Sequence, residues 1–150
     1  MYSITKTFKF DAAHRLFTMP EGHKCSCIHG HSWTVRVSIN VDTILYLENP
    51  NMLIDFGVLK LFQKHLDAKF DHCLILHPND PFVSELEGKT KILTMPDNMD
   101  TTAENMAKLF TETIRYMFVD LIKNKVNSGF IRVEVDETVG NTAAYQEDFV

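Results

Sequence analysis

Residues 31–41 read HSWTVRVSINV, and from Trp33 onwards apolar side chains fill every second position of this stretch. A period of two places successive side chains on opposite faces of a β-strand. The predicted strand therefore has one apolar face and one polar face. Such strands are typical of an antiparallel sheet that is covered on one side only. The apolar positions are Trp33, Val35, Val37, Ile39 and Val41.

Residues 2–14 alternate in a similar way and predict a second strand, with His14 on its apolar side. A loop rich in polar and turn-forming residues, 19–24, lies between the two strands. A last strand is predicted over 131–137, and a short element near 71–76.

Helical spacing of apolar residues predicts an amphipathic helix from about residue 55 to residue 70. A second, longer helix is predicted to begin near Thr101, because Thr101 and Glu104 have the spacing of a capping box. Strands on either side of two helices predict an α+β fold, in which helices cover one side of an antiparallel sheet. We expect a single domain over residues 1–150.

The composition is that of a globular protein, with 150 residues, 45% hydrophobic and 23% charged. The formal net charge of −5 argues against nonspecific binding of nucleic acid. No apolar stretch approaches the roughly 18 to 20 residues that cross a bilayer. The N-terminal residues also lack the pattern of a secretory signal. We therefore expect a cytoplasmic protein that binds neither membranes nor nucleic acid, with its three cysteines outside disulfides.

Three histidines have the spacing of a metal site. His29 and His31 lie two residues apart, so both imidazoles leave the same face of an extended strand. His14 lies on the apolar side of the neighbouring strand. Catalytic zinc takes three protein ligands and leaves a fourth position open. We therefore predict one catalytic Zn²⁺ bound by His14, His29 and His31, although a single histidine in such a place would more often be structural.

Cys25 and Cys27 offer a different zinc site, because they share parity with His29 and His31. A closed site of two cysteines and two histidines would be structural. At a rise of about 3.3 Å per residue, an extended run from 25 to 31 spans about 20 Å, too far for one tetrahedral ion without a tight loop. The site with three histidines is therefore the favoured interpretation.

Cys25 is also a candidate for a reactive thiol. It follows Lys24 and lies close to His23, and cationic neighbours favour the thiolate form of a cysteine. The alternative is a small buried hydrophobic residue, which describes Cys73 well because apolar residues follow it. For Cys25 both interpretations stay open.

Asp71 and His72 follow the first predicted helix. A carboxylate beside an imidazole can tune its protonation for acid–base chemistry, provided that the fold brings the two into contact. The alternative is a solvated helix end.

Glu137 shares parity with Ile131, Val133 and Val135, the apolar side of the last strand. A carboxylate on that side must be paired or hydrogen-bonded, because its burial alone is costly. The pattern predicts an anchor for a ligand that donates several N–H groups. If the strand has already ended at this position, the carboxylate lies in water.

The combined order of these motifs resembles the 6-pyruvoyl-tetrahydropterin synthase superfamily. Within it, a cysteine four residues before the H-x-H pair is similar to the bacterial 6-carboxy-tetrahydropterin synthases. Two features depart from the family pattern: Cys27, where a residue without a thiol is expected, and the stretch 77–100, which is longer than usual. The matching segments are 10–16, 20–25, 29–32, 54–56, 70–72, 102–105 and 137–138.

The resemblance implies the tunnelling fold, a four-stranded antiparallel sheet with two helices on one face. Its members close into a barrel by oligomerisation, as trimers and usually hexamers, with active sites between subunits. The resemblance also implies the roles of the candidate residues. His14, His29 and His31 would bind zinc, Cys25, Asp71 and His72 would transfer protons, and Glu137 and Thr102 would bind the pterin. Apart from the resemblance, the basic residues Arg15, Lys24 and His23 are candidates for contacts to a triphosphate; the alternative is that their charges only solvate a loop.

The implied reaction converts 7,8-dihydroneopterin triphosphate to 6-carboxy-5,6,7,8-tetrahydropterin, releasing acetaldehyde and triphosphate, on the route to queuosine and other 7-deazapurines. Zinc would act as a Lewis acid on the side-chain oxygens of the substrate. One alternative is a 6-pyruvoyl-tetrahydropterin synthase, which eliminates triphosphate without cleaving the side chain. Another is a non-catalytic module that binds zinc or a pterin.

Overall fold

Two strands of 13 residues, β1 (Tyr2–His14) and β2 (His29–Val41), pair antiparallel along their whole length at the centre of the sheet. The computed structural model describes residues 1–45 and 51–149. The other elements, in chain order, are a 3-10 helix at Lys24–Ser26, α1 (Lys60–Lys69), β3 (Cys73–Leu76), α2 (Phe82–Glu85), β4 (Ile92–Thr94), α3 (Ala103–Ile122), a 3-10 helix at Lys123–Lys125, β5 (Gly129–Thr138) and β6 (Asn141–Asp148).

The sheet is mixed and has six strands in the order β4-β3-β1-β2-β5-β6. Strands β1, β2, β5 and β6 pair antiparallel, whereas β3 runs parallel to both β1 and β4. The α+β class is confirmed, but the prediction of four antiparallel strands is wrong. In β3 and β6, buried and exposed side chains do not alternate: β3 is buried at every position, and β6 leaves most of its side chains exposed. The sequence of these strands therefore lacks the period of two from which β1 and β2 were predicted. A barrel formed by oligomerisation stays a prediction.

The core lies between one face of this sheet and the two long helices. Phe62 of α1 packs edge-on against Phe8 of β1, and Phe110 of α3 packs against Phe10 of the same strand. Each fully buried side chain of this size contributes about 1.5–3 kcal/mol. The histidines at the ends of β1 and β2 continue the faces that carry this core, so core packing fixes the direction in which their rings point.

Helix α3 begins one residue later than the capping-box pattern predicts. Its N-cap is Thr102, whose hydroxyl oxygen accepts a hydrogen bond from the N–H of Asn105 (3.3 Å). Thr101, predicted as the cap with Glu104, is buried, and its hydroxyl donates to the carbonyl of Arg15 (2.9 Å). The prediction is wrong because two adjacent threonines look alike locally and a distant contact decides between them.

No helix among residues 1–45 and 51–149 is long and apolar enough to cross a membrane.

Candidate active site

His14, His29 and His31 converge at one end of the two central strands. The β1–β2 register places His14 opposite His29. The ring centroids lie 4.6 Å apart for His14 and His29, 5.1 Å for His14 and His31, and 4.9 Å for His29 and His31. The buried ring of Trp33 packs edge-on against His14 and His31. The three imidazoles are close enough to share one ion.

Backbone carbonyls hold two of these imidazoles by their Nδ1 atoms. His14 donates to the carbonyl of Thr101 (2.8 Å), and His29 donates to the carbonyl of Cys27 (2.8 Å). Because a carbonyl only accepts, Nδ1 carries the proton in both rings, and in the neutral form of each ring the lone pair is then on Nε2. Metal-ligating histidines are oriented in this way. The Nε2 atoms of His14 and His31 are buried and have no hydrogen-bond partner in the described part of the chain.

Burial favours the neutral form of two of these imidazoles, those of His14 and His31. His14 is fully buried, and this desolvation lowers its pKa to about 4, with His29 and His31 acting in the same direction and the bond to Thr101 opposing them. Burial also lowers the pKa of His31, whereas the nearby Glu137 acts to raise it. Neutral rings offer their lone pairs at pH 7 without first losing a proton, as metal binding requires.

Strand β5 brings a carboxylate to the histidines. A β-bulge between Asp136 and Thr138 aims Glu137 at them, on the apolar side of the strand as its parity predicted. Its Oε1 lies 3.2 Å from Nε2 of His14 and 3.7 Å from Nε2 of His31. One potential ligand atom from each of the three histidines and Glu137 lies within 4.8 Å of every other. This group could hold a metal ion.

A cavity of about 560 Å³ opens beside this group. Glu137 and Thr102, which lie 35 positions apart in the sequence, both line it. Leu16 and Ala103 contribute apolar surface. The volume is that of a site for a small molecule, and a few polar groups in a partly apolar wall are typical of such sites. The two residues predicted to bind a pterin therefore share one cavity next to the predicted metal ligands.

The two cysteines of the C-x-C sequence differ in their surroundings. Cys25 is half-buried, and its carbonyl accepts a hydrogen bond from the N–H of Leu16 (2.8 Å), a residue of the cavity wall. Cys27 is exposed. Among the described residues, the possible metal group contains Glu137 and no cysteine, which contradicts the alternative zinc site of two cysteines and two histidines. The backbone hydrogen bond between Leu16 and Cys25 therefore holds Cys25 beside a residue of the cavity wall.

Asp71 and His72 are in contact, as the dyad prediction requires. Nδ1 of His72 lies 2.6 Å from Oδ2 of Asp71. A hydrogen bond from the N–H of Asp11 (2.9 Å) lowers the pKa of Asp71, and His72 lowers it further. His72 has a φ of 55°, a conformation that costs a residue other than glycine about 1–3 kcal/mol and is frequent at functional sites. The carboxylate stays ionised and holds the ring by its Nδ1–H.

This dyad opens onto a different cavity from the one that Glu137 and Thr102 line. His72 lines a cleft of about 500 Å³ together with Asp11, Ala13 and Ser32, and His31 of the histidine group also borders this cleft. These three positions are out of phase with the buried positions of β1 and β2, so their side chains point away from the core, whereas His14 points toward it. Within one chain, the predicted dyad therefore opens onto the face of the sheet opposite to the side chain of His14, and His31 borders the cleft of the dyad as well as the possible metal group.

A family model described as 6-pyruvoyl tetrahydropterin synthase matches residues 3–148. This chain belongs to that family. A 6-carboxy-5,6,7,8-tetrahydropterin synthase of Rickettsia typhi is 38% identical over 127 residues, which cover 80% of this chain and 86% of the relative. A protein of the same name from Aquifex aeolicus is 31% identical over 98% of this chain and 99% of its own. The solved 6-pyruvoyl tetrahydropterin synthase of Plasmodium vivax shares the fold, with a TM-score of 0.71 at 16% identity over 99% of both chains.

The three basic residues predicted to contact triphosphate differ in their contacts and exposure. The guanidinium of Arg15 donates to both carboxylate oxygens of Asp80, at 2.6 and 2.5 Å. Nδ1 of His23 accepts the N–H of Cys25 (3.1 Å) and caps the 3-10 helix. Lys24 is exposed. Contacts of these residues to triphosphate stay a prediction, and Arg15 would have to share its charge with Asp80.

Nothing in the sequence indicates that two further residues, Thr101 and Asp80, belong to the site. Thr101 touches His14 through its backbone carbonyl, and every residue has a carbonyl. Asp80 binds Arg15 from 65 positions away, and an aspartate between Asn79 and Pro81 looks like an ordinary turn residue.

Proposed function

We propose that this protein is a zinc-dependent 6-carboxy-5,6,7,8-tetrahydropterin synthase that works in the cytoplasm as a homo-oligomer. It converts 7,8-dihydroneopterin triphosphate and one water to 6-carboxy-5,6,7,8-tetrahydropterin, acetaldehyde and triphosphate, on the route to queuosine and other 7-deazapurines. One observation carries the proposal: three imidazoles and Glu137 meet beside a cavity that Glu137 and Thr102 line. Relatives that match most of the chain carry the name of this activity.

Zn²⁺ is the metal that this donor set fits best. Imidazole nitrogens suit zinc, and three histidines leave a coordination position open, as in catalytic zinc sites. His14 and His29 are already oriented by carbonyls at Nδ1, and His31 completes the set. When bound, zinc supplies the Lewis acidity that stabilises negative charge on the side-chain oxygens of the substrate.

Glu137 and Thr102 hold the pterin ring. The aminopyrimidinone edge of a pterin donates adjacent N–H groups, and a carboxylate can accept two of them at once. The hydroxyl oxygen of Thr102 accepts from Asn105, so its proton is left to donate to the ring. Glu137 also lies against His14. A pterin ring bound by Glu137 therefore has the side chain of the substrate near the metal ligands.

Cys25 and the dyad transfer the protons. As a thiolate, Cys25 accepts a proton from a side-chain carbon of the substrate. Asp71 fixes Nδ1–H of His72, so Nε2 is the atom that exchanges protons. Because the dyad opens onto the face of the sheet opposite to His14 and lies outside the cavity that Glu137 and Thr102 line, a neighbouring subunit supplies the dyad to each site. A trimer or a hexamer then completes the active sites.

A second candidate is 6-pyruvoyl-tetrahydropterin synthesis, which the description of the matching family model favours. It uses the same metal, thiol and ring anchor, and it stops after triphosphate leaves. No carbon–carbon bond is broken, so no acetaldehyde is formed.

Incubation of the zinc-loaded protein with 7,8-dihydroneopterin triphosphate, followed by mass analysis, tests both candidates. The proposal expects acetaldehyde and 6-carboxy-5,6,7,8-tetrahydropterin in equal amounts. A diketone product without acetaldehyde would establish the second candidate instead. Unchanged substrate in the presence of the metal-loaded oligomer would contradict both and leave a module that binds zinc or a pterin.

A further inference from the structure

A chain of contacts joins His14 to the segment 77–100, whose role the family resemblance leaves open. Its first link is Thr101, which is 1% exposed. The carbonyl of Thr101 accepts the Nδ1–H of His14 (2.8 Å), and its hydroxyl donates to the carbonyl of Arg15 (2.9 Å). Thr101 is thus bound to two consecutive residues at the end of β1. Two bonds to one short piece of chain fix the direction of its carbonyl, and that carbonyl fixes the imidazole.

The second link is the immobilised side chain of Arg15. Its guanidinium forms two hydrogen bonds to Asp80 and lies 3.8 Å from the ring centroid of Phe82. The carboxylate of Asp80 is fully buried and also accepts the N–H of Phe82 (2.9 Å). Breaking a buried ion pair from one side is strongly destabilising, because it leaves an uncompensated charge. The segment 77–100 therefore secures the backbone position of Arg15.

We propose that Thr101 is a positioning residue of the metal centre, and that Asp80 braces it through Arg15. The inference rests on the proposed metal site. Groups that orient a metal-ligating histidine typically contribute about 10- to 100-fold to metal affinity. Loss of the Thr101 hydroxyl leaves its carbonyl in place but frees it to rotate, so the bond to Nδ1 of His14 loosens. The family-atypical segment thus acts on metal affinity from outside the ligand set.

The test is a Co²⁺ titration of the metal-free full chain, read from the visible absorption bands of the ion and from competition with a chelator. Thr101→Val is expected to weaken Co²⁺ binding about 10- to 100-fold and to alter the bands, and Thr101→Ser is expected to restore both. Thr111→Val is the matched control. Thr111 is fully buried and its hydroxyl donates to the carbonyl of Ala107 within α3 (2.8 Å), so this variant loses a similar hydroxyl without changing Co²⁺ affinity.

Equal Co²⁺ affinity in Thr101→Val and wild type overturns the inference, as does an equal loss in Thr111→Val. If Thr101→Val does not fold, Asp80→Asn replaces it, with an expected loss of about tenfold in affinity and wild-type affinity as the contradicting result. His14→Ala separates this inference from the proposed function. A wild-type chain that binds Co²⁺ no better than His14→Ala contradicts the metal site and the inference together, whereas a binding wild type with an unaffected Thr101→Val contradicts only the inference.

Discussion

Nε2 of His14 lies 3.2 Å from Oε1 of Glu137, and both atoms are hydrogen-bond acceptors when the buried imidazole is neutral. Two acceptors approach this closely only where a cation or a donated proton offsets their repulsion. Glu137 lies at the border between the possible metal group and the cavity, so it can serve either a metal ion or a ligand that donates N–H groups. The two roles predict different losses when the carboxylate is removed.

Glu137→Gln is expected to raise KM for the pterin substrate about 10- to 100-fold while the protein keeps one metal ion per chain. Hydrogen bonds to a charged group contribute about 1.5–3 kcal/mol, and an amide offers only one oxygen to the two N–H groups of the ring. Steady-state kinetics and metal analysis on the same sample measure both quantities. Glu134→Gln, on the outer face of the same strand, is the control. Loss of metal with an unchanged KM would identify Glu137 as a metal ligand instead.

Cys25→Ala is expected to lower kcat by about 10²- to 10⁴-fold, the usual contribution of a group that transfers a proton. Metal content should stay at the wild-type level, because the possible metal group in the described residues contains no cysteine. Cys27→Ala removes the exposed thiol of the same turn and should leave kcat near wild type. Turnover that survives in Cys25→Ala would exclude Cys25 as the proton-transfer group, and a loss confined to Cys27→Ala would reassign the role to Cys27.

The histidine group could be predicted because it depends on two alternating strands and little else. The core faces of β1 and β2 fix which way His14 and His31 point, and the antiparallel register brings His14 opposite His29. The same logic placed Glu137 on the core side of β5, although the bulge that aims it has no signature in the sequence.

The direction of the dyad could not be predicted, because it depends on the pairing of β1 with β3. Strand β3 is buried at every position, so its sequence does not show that it runs parallel to β1. The positive φ of His72 then decides which face its ring reaches, and histidine is not a residue from which that conformation is expected. Thr101 shows the same limit, since a contact through a backbone carbonyl leaves no trace in residue type.

The metal-free protein is expected to lose stability as the pH falls from about 6.5 to about 4. Burial lowers the pKa of His14 from 6.5 to about 4, so between these values the unfolded chain binds a proton that the folded chain excludes. The contribution is complete above pH 6.5, and it falls by about 3 kcal/mol on the way to pH 4. Urea unfolding with a chelator present, at several pH values, measures it.

A variant separates the contribution of His14 to this pH dependence from the contribution of the carboxylates, which also lose their favourable contacts in acid. His14→Gln should show a flatter dependence than wild type. Equal slopes in His14→Gln and wild type would show that His14 does not titrate in this way.

Mixed oligomers test whether each active site takes its dyad from a neighbouring subunit. Cys25→Ala and His72→Ala are each expected to be inactive alone, because every site lacks one proton-transfer group. If Cys25 and His72 of one site come from different chains, a mixed oligomer contains some sites with both groups intact. Random assembly at equal amounts leaves about a quarter of all sites with both groups intact, since each of two positions is intact half of the time, and about a third of the sites in mixed trimers, from which the inactive homo-oligomers have been removed. If both groups come from one chain, mixing restores nothing.

Co-expression of the two variants with different affinity tags, purified in sequence through both tags, gives the mixed species. Activity that stays at the level of the single variants would place the dyad and the thiol of each site in the same subunit.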